Sequence, residues 1–370
     1  MIIFAWDGFP QYAARCVGAL VKASKEEIVV VATRPNVPIA GMEAVCNCPV
    51  TWVDGADRIA EKCPDITSRI DDQTLLVVSG WYVPAFNQLS DIVRSRKGIL
   101  ACSNDANYLR TFKTVLRAIQ FRLLHNLKYD KFFVPGKSGR RLLNFYGVSD
   151  ERIAEGLYSA DESLFHDGLP LQERAKKIIY VGQFIERKNV RRLVEAFRKA
   201  VEKVEVEGGG GERWELHLYG SGPLKNELAR IIKQSPNPKS NNLKSNNSPN
   251  IYLHDFCQPE ELAAKYREAR VFCLPSLEEH WGLVVHEAAL SGCVLCLSDR
   301  VGAAEDLFDG RNGALFNPYD TDSLVRALTR IFKMTDEELT CAHDTSLRLA
   351  ATVGLKTFED GVRNLAGREI

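Results

Sequence analysis

A chain of 370 residues, 45% hydrophobic and 26% charged, has the length and apolar content of about two globular domains. Its 48 Lys and Arg residues balance 48 Asp and Glu, so no overall field favours nucleic acid as a partner. No uncharged apolar run reaches the roughly 18 residues that a spanning helix needs. Residues 1–7 lack the basic start of a signal peptide, and a cytoplasmic protein is expected.

The ten cysteines lie mostly in apolar surroundings, as at Cys102, Cys273, Cys293 and Cys296, which is the habit of reduced, buried thiols. Cys293 and Cys296 form a C-x-x-C with no second pair at ligand spacing. The seven histidines show no ligand pattern either, so no metal site is expected.

Residues 1–6, 27–32, 74–79, 98–102 and 131–134 are apolar runs of strand length. Ile28-Val29-Val30-Val31 is continuous rather than alternating, which predicts a strand covered on both faces, as in a parallel sheet. Helical segments separate these runs, beginning with 11–25, and the alternation is that of a doubly wound α/β domain. The first strand-to-helix turn, Asp7-Gly8-Phe9-Pro10, has one glycine and lacks the G-x-G-x-x-G of a dinucleotide site. Residues 109–128 read as a long helix. Leu109, Phe112, Leu116, Ile119 and Leu123 recur there at three- and four-residue spacing among Arg110, Lys113, Arg117, Arg122 and Lys128. This pattern is expected to turn its apolar face to the core and its basic side to water. The other reading is a surface that meets anionic lipid or a pyrophosphate-linked acceptor.

Asp167-Gly168-Leu169-Pro170 breaks any element, and the first domain is read as residues 1–168. A second alternation follows, with strands at 178–181, 214–219, 251–254, 270–274 and 293–298 and helices at 190–204, 224–233 and 260–268. It is read as a domain over 169–345, with a terminal helical segment over 346–370. Gly208 to Gly211 reads as a flexible connector and 234–250 as a surface loop of low complexity; neither is assigned chemistry.

One stretch of this second half concentrates polar chemistry. Leu274-Pro275-Ser276-Leu277-Glu278-Glu279-His280-Trp281-Gly282-Leu283-Val284 leaves a buried strand, crosses a loop, and from about Leu283 becomes a helix that Gly292 stops. A polar loop at the carboxyl end of a strand is where open parallel sheets bind ligands. The helix start offers unpaired N–H groups and partial positive charge to a phosphate. Glu279 and Glu287 offer acceptors to vicinal sugar hydroxyls. One loop can thus hold both halves of a nucleotide sugar; a capped helix with solvated glutamates is the plain alternative.

Pro275, Ser276, Glu279, Trp281, Gly282, Leu283 and Glu287 together resemble the signature of the family-4 retaining glycosyltransferases: Pro-Ser, a glutamate, an aromatic-Gly-Leu core, and a second glutamate eight positions after the first. The resemblance is strong over about 177–332 and holds only in outline before that. It implies the GT-B fold, two doubly wound Rossmann-like α/β domains facing across a cleft, with 346–370 crossing back to the first. It implies sugar transfer from a nucleotide-sugar donor, UDP- or GDP-linked, to a hydroxyl acceptor such as a lipid-linked saccharide. The setting would be polysaccharide, lipopolysaccharide or glycolipid synthesis. The basic run 109–128 adds the expectation of peripheral contact with an anionic membrane, and the missing ligand pattern that of neither cofactor nor metal.

The same resemblance assigns roles. Glu279 would contact the donor sugar, Glu287 the ribose hydroxyls and Lys188 the diphosphate. Gly182, Gly220, Gly222, His280, Trp281, Gly282, Leu283 and Val284 would complete the donor site. Where the family has an arginine just after the first glycine, this chain has Gln183, which removes one fixed charge from the leaving diphosphate; Arg187 stands nearby in sequence. Asn104 replaces a histidine common in the family and is expected, with Asp105, Trp81 and Gly8, at the acceptor. A retaining glycosidase needs carboxyl groups about 5–5.5 Å apart, whereas eight helical residues rise about 12 Å. A largely helical path from Glu279 to Glu287 therefore excludes that pair. A nucleotide-sugar epimerase on the same fold, and a non-catalytic binding subunit that Gln183 would suit, stay open as alternatives.

Overall fold

Ile28–Ala32 is buried at all five positions, the behaviour of a strand with both faces covered. The computed structural model describes residues 1–35, 42–109, 111–206, 213–234 and 250–370. Arg110, Gly208 to Gly211 and 235–249, named above, lie outside the described residues. The chain divides into two compact units, Met1–Asp161 with Val353–Ile370, and Glu162–Thr352.

Among the described residues the first unit is built on seven strands: β1 (Ile2–Trp6), β2 (Ile28–Ala32), β3 (Val50–Trp52), β4 (Leu75–Ser79), β5 (Ile99–Ser103), β6 (Lys131–Val134) and β7 (Ile153–Glu155). All pairings are parallel and the order is β3-β2-β1-β4-β5-β6-β7. The chain winds outward from β1 to β3 and then returns to lay β4 on the other side of β1. The switch point between β1 and β4 is where the carboxyl-end loops part. β3 and β7 are only three residues each, too short to show as apolar runs.

The helix Leu355–Ala366 belongs to this unit. Phe358 rests against Phe4 and Phe133, with ring centroids 5.9 and 5.5 Å away, and Lys131 Nζ donates to the Asn364 carbonyl at 2.7 Å. Gly361 permits the approach. A Cβ there would overlap the Glu155 carbonyl oxygen and come within 2.6 Å of the Phe133 ring.

Among the described residues the second unit has six parallel strands: β8 (Ala175–Val181), β9 (Glu215–Tyr219), β10 (Asn250–His254), β11 (Ala269–Leu274), β12 (Val294–Ser298) and β13 (Gly313–Phe316). Their order, β10-β9-β8-β11-β12-β13, repeats the same winding with the switch point between β8 and β11.

The unit boundaries differ from those read at 168/169 and 345/346. Phe165 packs on Tyr266 at 5.8 Å, and Asp167 meets His343 at 3.1 Å, so the stretch before β8 belongs to the second unit. The helix Asp336–Ala350 also stays there, because Ser346 Oγ donates to the Cys293 carbonyl at 2.8 Å and the Ala350 carbonyl lies 3.1 Å from His286 Nε2. The terminal segment read as helical over 346–370 is interrupted at 351–354.

A second correction concerns the long basic helix, which spans Phe112–Leu124 and is capped by Thr111. Thr114, Ala118 and Phe121 are its buried residues, whereas Phe112, Leu116, Ile119 and Leu123 are exposed. The apolar residues at three- and four-residue spacing do share a face, as expected, but that face is turned to solvent. Two small side chains on the opposite stripe allow close approach. Phe121 fills the space below by packing on Phe132 at 5.5 Å and Tyr146 at 5.1 Å.

Gly361→Ala should lower the stability of the first unit by about 1–3 kcal/mol, the usual cost of overpacking. Urea denaturation followed by fluorescence reads the loss. A variant as stable as the parent would refute the close seat of the last helix.

Candidate active site

Both sides of the second switch point end in loops, and hydrogen bonds fasten the two loops together. After β8 the chain passes Gly182, makes a single turn over Glu186–Lys188 and reaches Asn189 in the left-handed conformation, φ 55°. Asn189 Nδ2 donates to the Pro275 carbonyl at 3.1 Å and to the Pro318 carbonyl at 3.0 Å. Leu277 N–H donates to the Arg187 carbonyl at 2.8 Å, and Arg187 Nη1 donates to the Glu278 carbonyl at 2.7 Å.

These bonds bring Lys188 and Glu279, only 9% and 8% exposed, into contact. Lys188 Nζ donates to Glu279 Oε2, which also accepts from Ser276 Oγ at 3.0 Å. Arg187 Nη1 lies 3.8 Å from the other oxygen, Oε1. Lys188 and Arg187 thus face this carboxylate, each on a different oxygen. Glu279 is also pinned on its far side, with its N–H on the Arg300 carbonyl at 3.1 Å and its carbonyl accepting from Gly302 N–H at 3.2 Å. Beneath the loop, Tyr180 donates its hydroxyl to the Gln183 carbonyl at 2.9 Å. Burial, reinforced by the Glu279 carboxylate, holds the Tyr180 phenol far above its ordinary pKa.

The helix Leu283–Leu290 starts at Gly282, which takes φ 99° and ψ 75° and so turns the loop sharply into the helix. Leu283 and Val284 are half-buried in its first turn, and the His280 side chain is exposed. Trp281 is buried. Its Nε1 donates to Asp306 Oδ2 at 2.9 Å and its carbonyl accepts from Ala303 N–H at 2.8 Å, so the ring anchors the loop from inside and leaves backbone to face a ligand. Glu287 accepts from the Tyr266 hydroxyl at 3.1 Å. Burial and then the Glu287 carboxylate raise that phenol well above its usual range, which keeps it a neutral donor.

Gln183 is exposed. Gly220 and Gly222 have a reason within the protein. A Cβ on Gly220 would overlap the Gly182 carbonyl, and one on Gly222 would lie 2.6 Å from the Phe184 carbonyl oxygen, where Phe184 N–H bonds the Ser221 carbonyl at 2.8 Å. Tyr180, Tyr266 and Asp306 position the polar groups and were missed by sequence reasoning, since no local pattern announces them. Among the described residues, no three His, Cys, Asp or Glu side chains converge as metal ligands do.

In the first unit, Gly8, Trp81 and Asn104-Asp105 follow β1, β4 and β5, at one end of three adjacent strands. Gly8 N–H donates to Thr33 Oγ1 at 2.7 Å, and Asn104 Oδ1 accepts from Ala106 N–H at 2.9 Å. Trp81 stacks on His125 at 4.2 Å, which covers one face of the ring expected to receive a sugar. Asp105 is exposed, as is Tyr82, which hydrogen-bonds Asp7. Asp7, whose Oδ1 accepts from Thr33 Oγ1 at 2.6 Å, is a further polar group at this end that sequence reasoning did not place in a site.

Two doubly wound parallel sheets with polar loops at their switch points define an α/β protein of the kind that binds nucleotides at those loops. The family described as glycosyl transferases group 1 matches residues 161–344. An exopolysaccharide phosphotransferase of Streptomyces coelicolor is 28% identical over 204 residues, which is 52% of this chain and 19% of that protein. A D-inositol 3-phosphate glycosyltransferase of Corynebacterium kroppenstedtii is 26% identical over 223 residues, 57% of this chain and 47% of that protein. The chain therefore matches less than half the length of either relative. Its fold is that of the Anabaena protein HepE solved with UDP and glucose, with TM-score 0.70 at 14% identity over 98% of this chain and 97% of that one. This is the two-domain GT-B fold.

Lys188→Met leaves the buried Glu279 carboxylate without its principal cation and should cost about 3–5 kcal/mol, as one-sided removal from a buried pair does. Adding Glu279→Gln should recover most of that loss. Urea midpoints for the parent, both single variants and the double variant give the coupling energy, and additive losses would show that the pair does not join the loops.

Proposed function

We propose that the chain is a retaining glycosyltransferase that moves a sugar from a UDP- or GDP-linked donor to a hydroxyl acceptor. The contact between Lys188 and Glu279 carries this reading: a signature glutamate and the lysine expected at the diphosphate, 91 residues apart, meet at the switch point of the second sheet. The match of residues 161–344 to the group 1 glycosyl transferases supports it, as does the fold shared with a protein solved with UDP and glucose.

In this reading Lys188 and the first-turn amides of Leu283–Leu290 neutralise the diphosphate, a task that needs no divalent metal. Glu279 accepts from the sugar hydroxyls, and Glu287, oriented by Tyr266, accepts from the ribose. The acceptor oxygen bonds the anomeric carbon on the face the diphosphate leaves, and its proton passes to the departing phosphate oxygen. Asp105, Asn104 and Asp7 of the first unit are the polar groups proposed to hold the acceptor. An epimerase would convert the donor without acceptor, and a binding subunit would turn over nothing, so turnover with and without acceptor separates the three.

The acceptor side is proposed to work at a membrane. Phe112, Leu123 and Leu127 are 76%, 78% and 89% exposed beside the exposed Lys113 and Arg117, an arrangement suited to the headgroup layer of anionic lipid and to a lipid-linked saccharide acceptor. Among the described residues no helix is long and apolar enough to cross a membrane.

A thermal-shift screen of nucleoside diphosphates and nucleotide sugars is the first test, since a ligand selective for the native state raises apparent stability. Glu287→Ala should weaken nucleoside diphosphate binding by about 1.5–3 kcal/mol; unchanged affinity by calorimetry in the folded variant would sink the ribose assignment. Transfer should survive excess EDTA, and abolition with rescue by Mg²⁺ or Mn²⁺ would refute metal independence. Co-sedimentation with anionic vesicles should weaken with salt and fall on Leu123→Ser/Leu127→Ser. Equal binding to neutral vesicles at every salt concentration would overturn the membrane contact.

A further inference from the structure

We propose that Arg187 is the second cation of the diphosphate seat, supplying the charge that position 183 lacks. The inference rests on the donor-site reading above and assigns the anion-binding half of that site.

The geometry isolates Arg187 from its neighbours. Gln183 is neutral and exposed, and its carbonyl is engaged by Tyr180. Arg191 is paired with Glu186 and Glu227, and Arg192 bonds the Pro318 carbonyl. Arg187 uses one N–H on the Glu278 carbonyl at 2.7 Å and stands 3.8 Å from Glu279 Oε1, beyond hydrogen-bond length, with its side chain 40% exposed. A guanidinium carries five donors in a planar fork that suits phosphate oxygens and is more weakly hydrated than an ammonium.

Arg187 and Lys188 therefore flank a single carboxylate, each on a different oxygen. The helix Leu283–Leu290 begins three residues beyond that carboxylate's neighbour His280 and adds the positive end of its dipole. Glu279 is the resident counter-ion of this seat. A diphosphate carries more charge than one carboxylate, so it can take over both cations and release Glu279 to the sugar hydroxyls. The loose contact at 3.8 Å makes Arg187 the cheaper of the two to exchange.

The competing role for Arg187 is a clamp on the Glu278 carbonyl alone. Arg187→Gln separates the two, since a glutamine amide can keep a hydrogen bond to that carbonyl but carries no charge. Calorimetry on the full chain would compare UDP with UMP and GDP with GMP. For the preferred base, Arg187→Gln should weaken the diphosphate tenfold or more, by about the worth of a charge-assisted hydrogen bond, with a smaller change for the monophosphate. Gln183→Arg in the Arg187→Gln background should regain at least part of the loss. Urea midpoints confirm that each variant is folded. Equal weakening of diphosphate and monophosphate, or no weakening of either, overturns the proposal while leaving the donor site standing. A parent protein that binds neither UDP nor GDP overturns both.

Discussion

Burying an ion pair is expensive, because two charges lose water and their attraction repays the loss only with good geometry and further hydrogen bonds. The pair of Lys188 and Glu279 meets these conditions through Ser276 on the same carboxylate oxygen and Arg187 near the other. The backbone bonds between the two loops fix the separation that the pair needs. Each loop is thus held in place by the other, and the rest of the second unit's site takes its position from this junction. The pair also gives a cation seat that is preorganised without leaving charges unpaired in a partly dry environment.

Around the junction the residues singled out in the sequence divide into two kinds. Trp281, Gly220 and Gly222 serve the protein interior: the tryptophan ties the loop to Asp306, and the glycines let two loops pass within backbone contact. Glu279, Lys188 and Glu287 carry the polar chemistry. Two neutral phenols, Tyr180 and Tyr266, support them from below, and burial ensures that they donate rather than ionise. A sequence signature of this kind therefore mixes polar groups available to a ligand with parts needed to build the loop. Spacing alone cannot separate them, because a buried tryptophan and a ligand-stacking one look alike in sequence.

The first unit makes a related point about apolar residues. Its helix Phe112–Leu124 has two stripes, and the smaller one faces the sheet. Thr114 and Ala118 leave room for close packing, and Phe121 joins an aromatic cluster with Phe132 and Tyr146 that already fills the available volume. The larger stripe remains outside with the basic residues around it. Hydrophobic spacing identifies a face, but which face is buried depends on the shape of what it packs against.

The sequence alone determined the elements whose signal is local. Continuous apolar runs specify β1, β2, β4, β5 and the central strands of the second sheet, since a strand buried on both faces can carry little else. Glycines mark the turns, and the run from Pro275 to Glu287 singled out the candidate site before any fold was known. Tertiary structure decided the rest. It brought Lys188 to Glu279 across 91 residues, because strand order places β8 beside β11, and pairing at that distance leaves no periodic trace. It returned the last helix to the first unit through the contact at Gly361, and it turned the apolar stripe of Phe112–Leu124 outward. Each of these follows from which surfaces fit together once the sheets exist, a relation among distant residues that no single stretch contains.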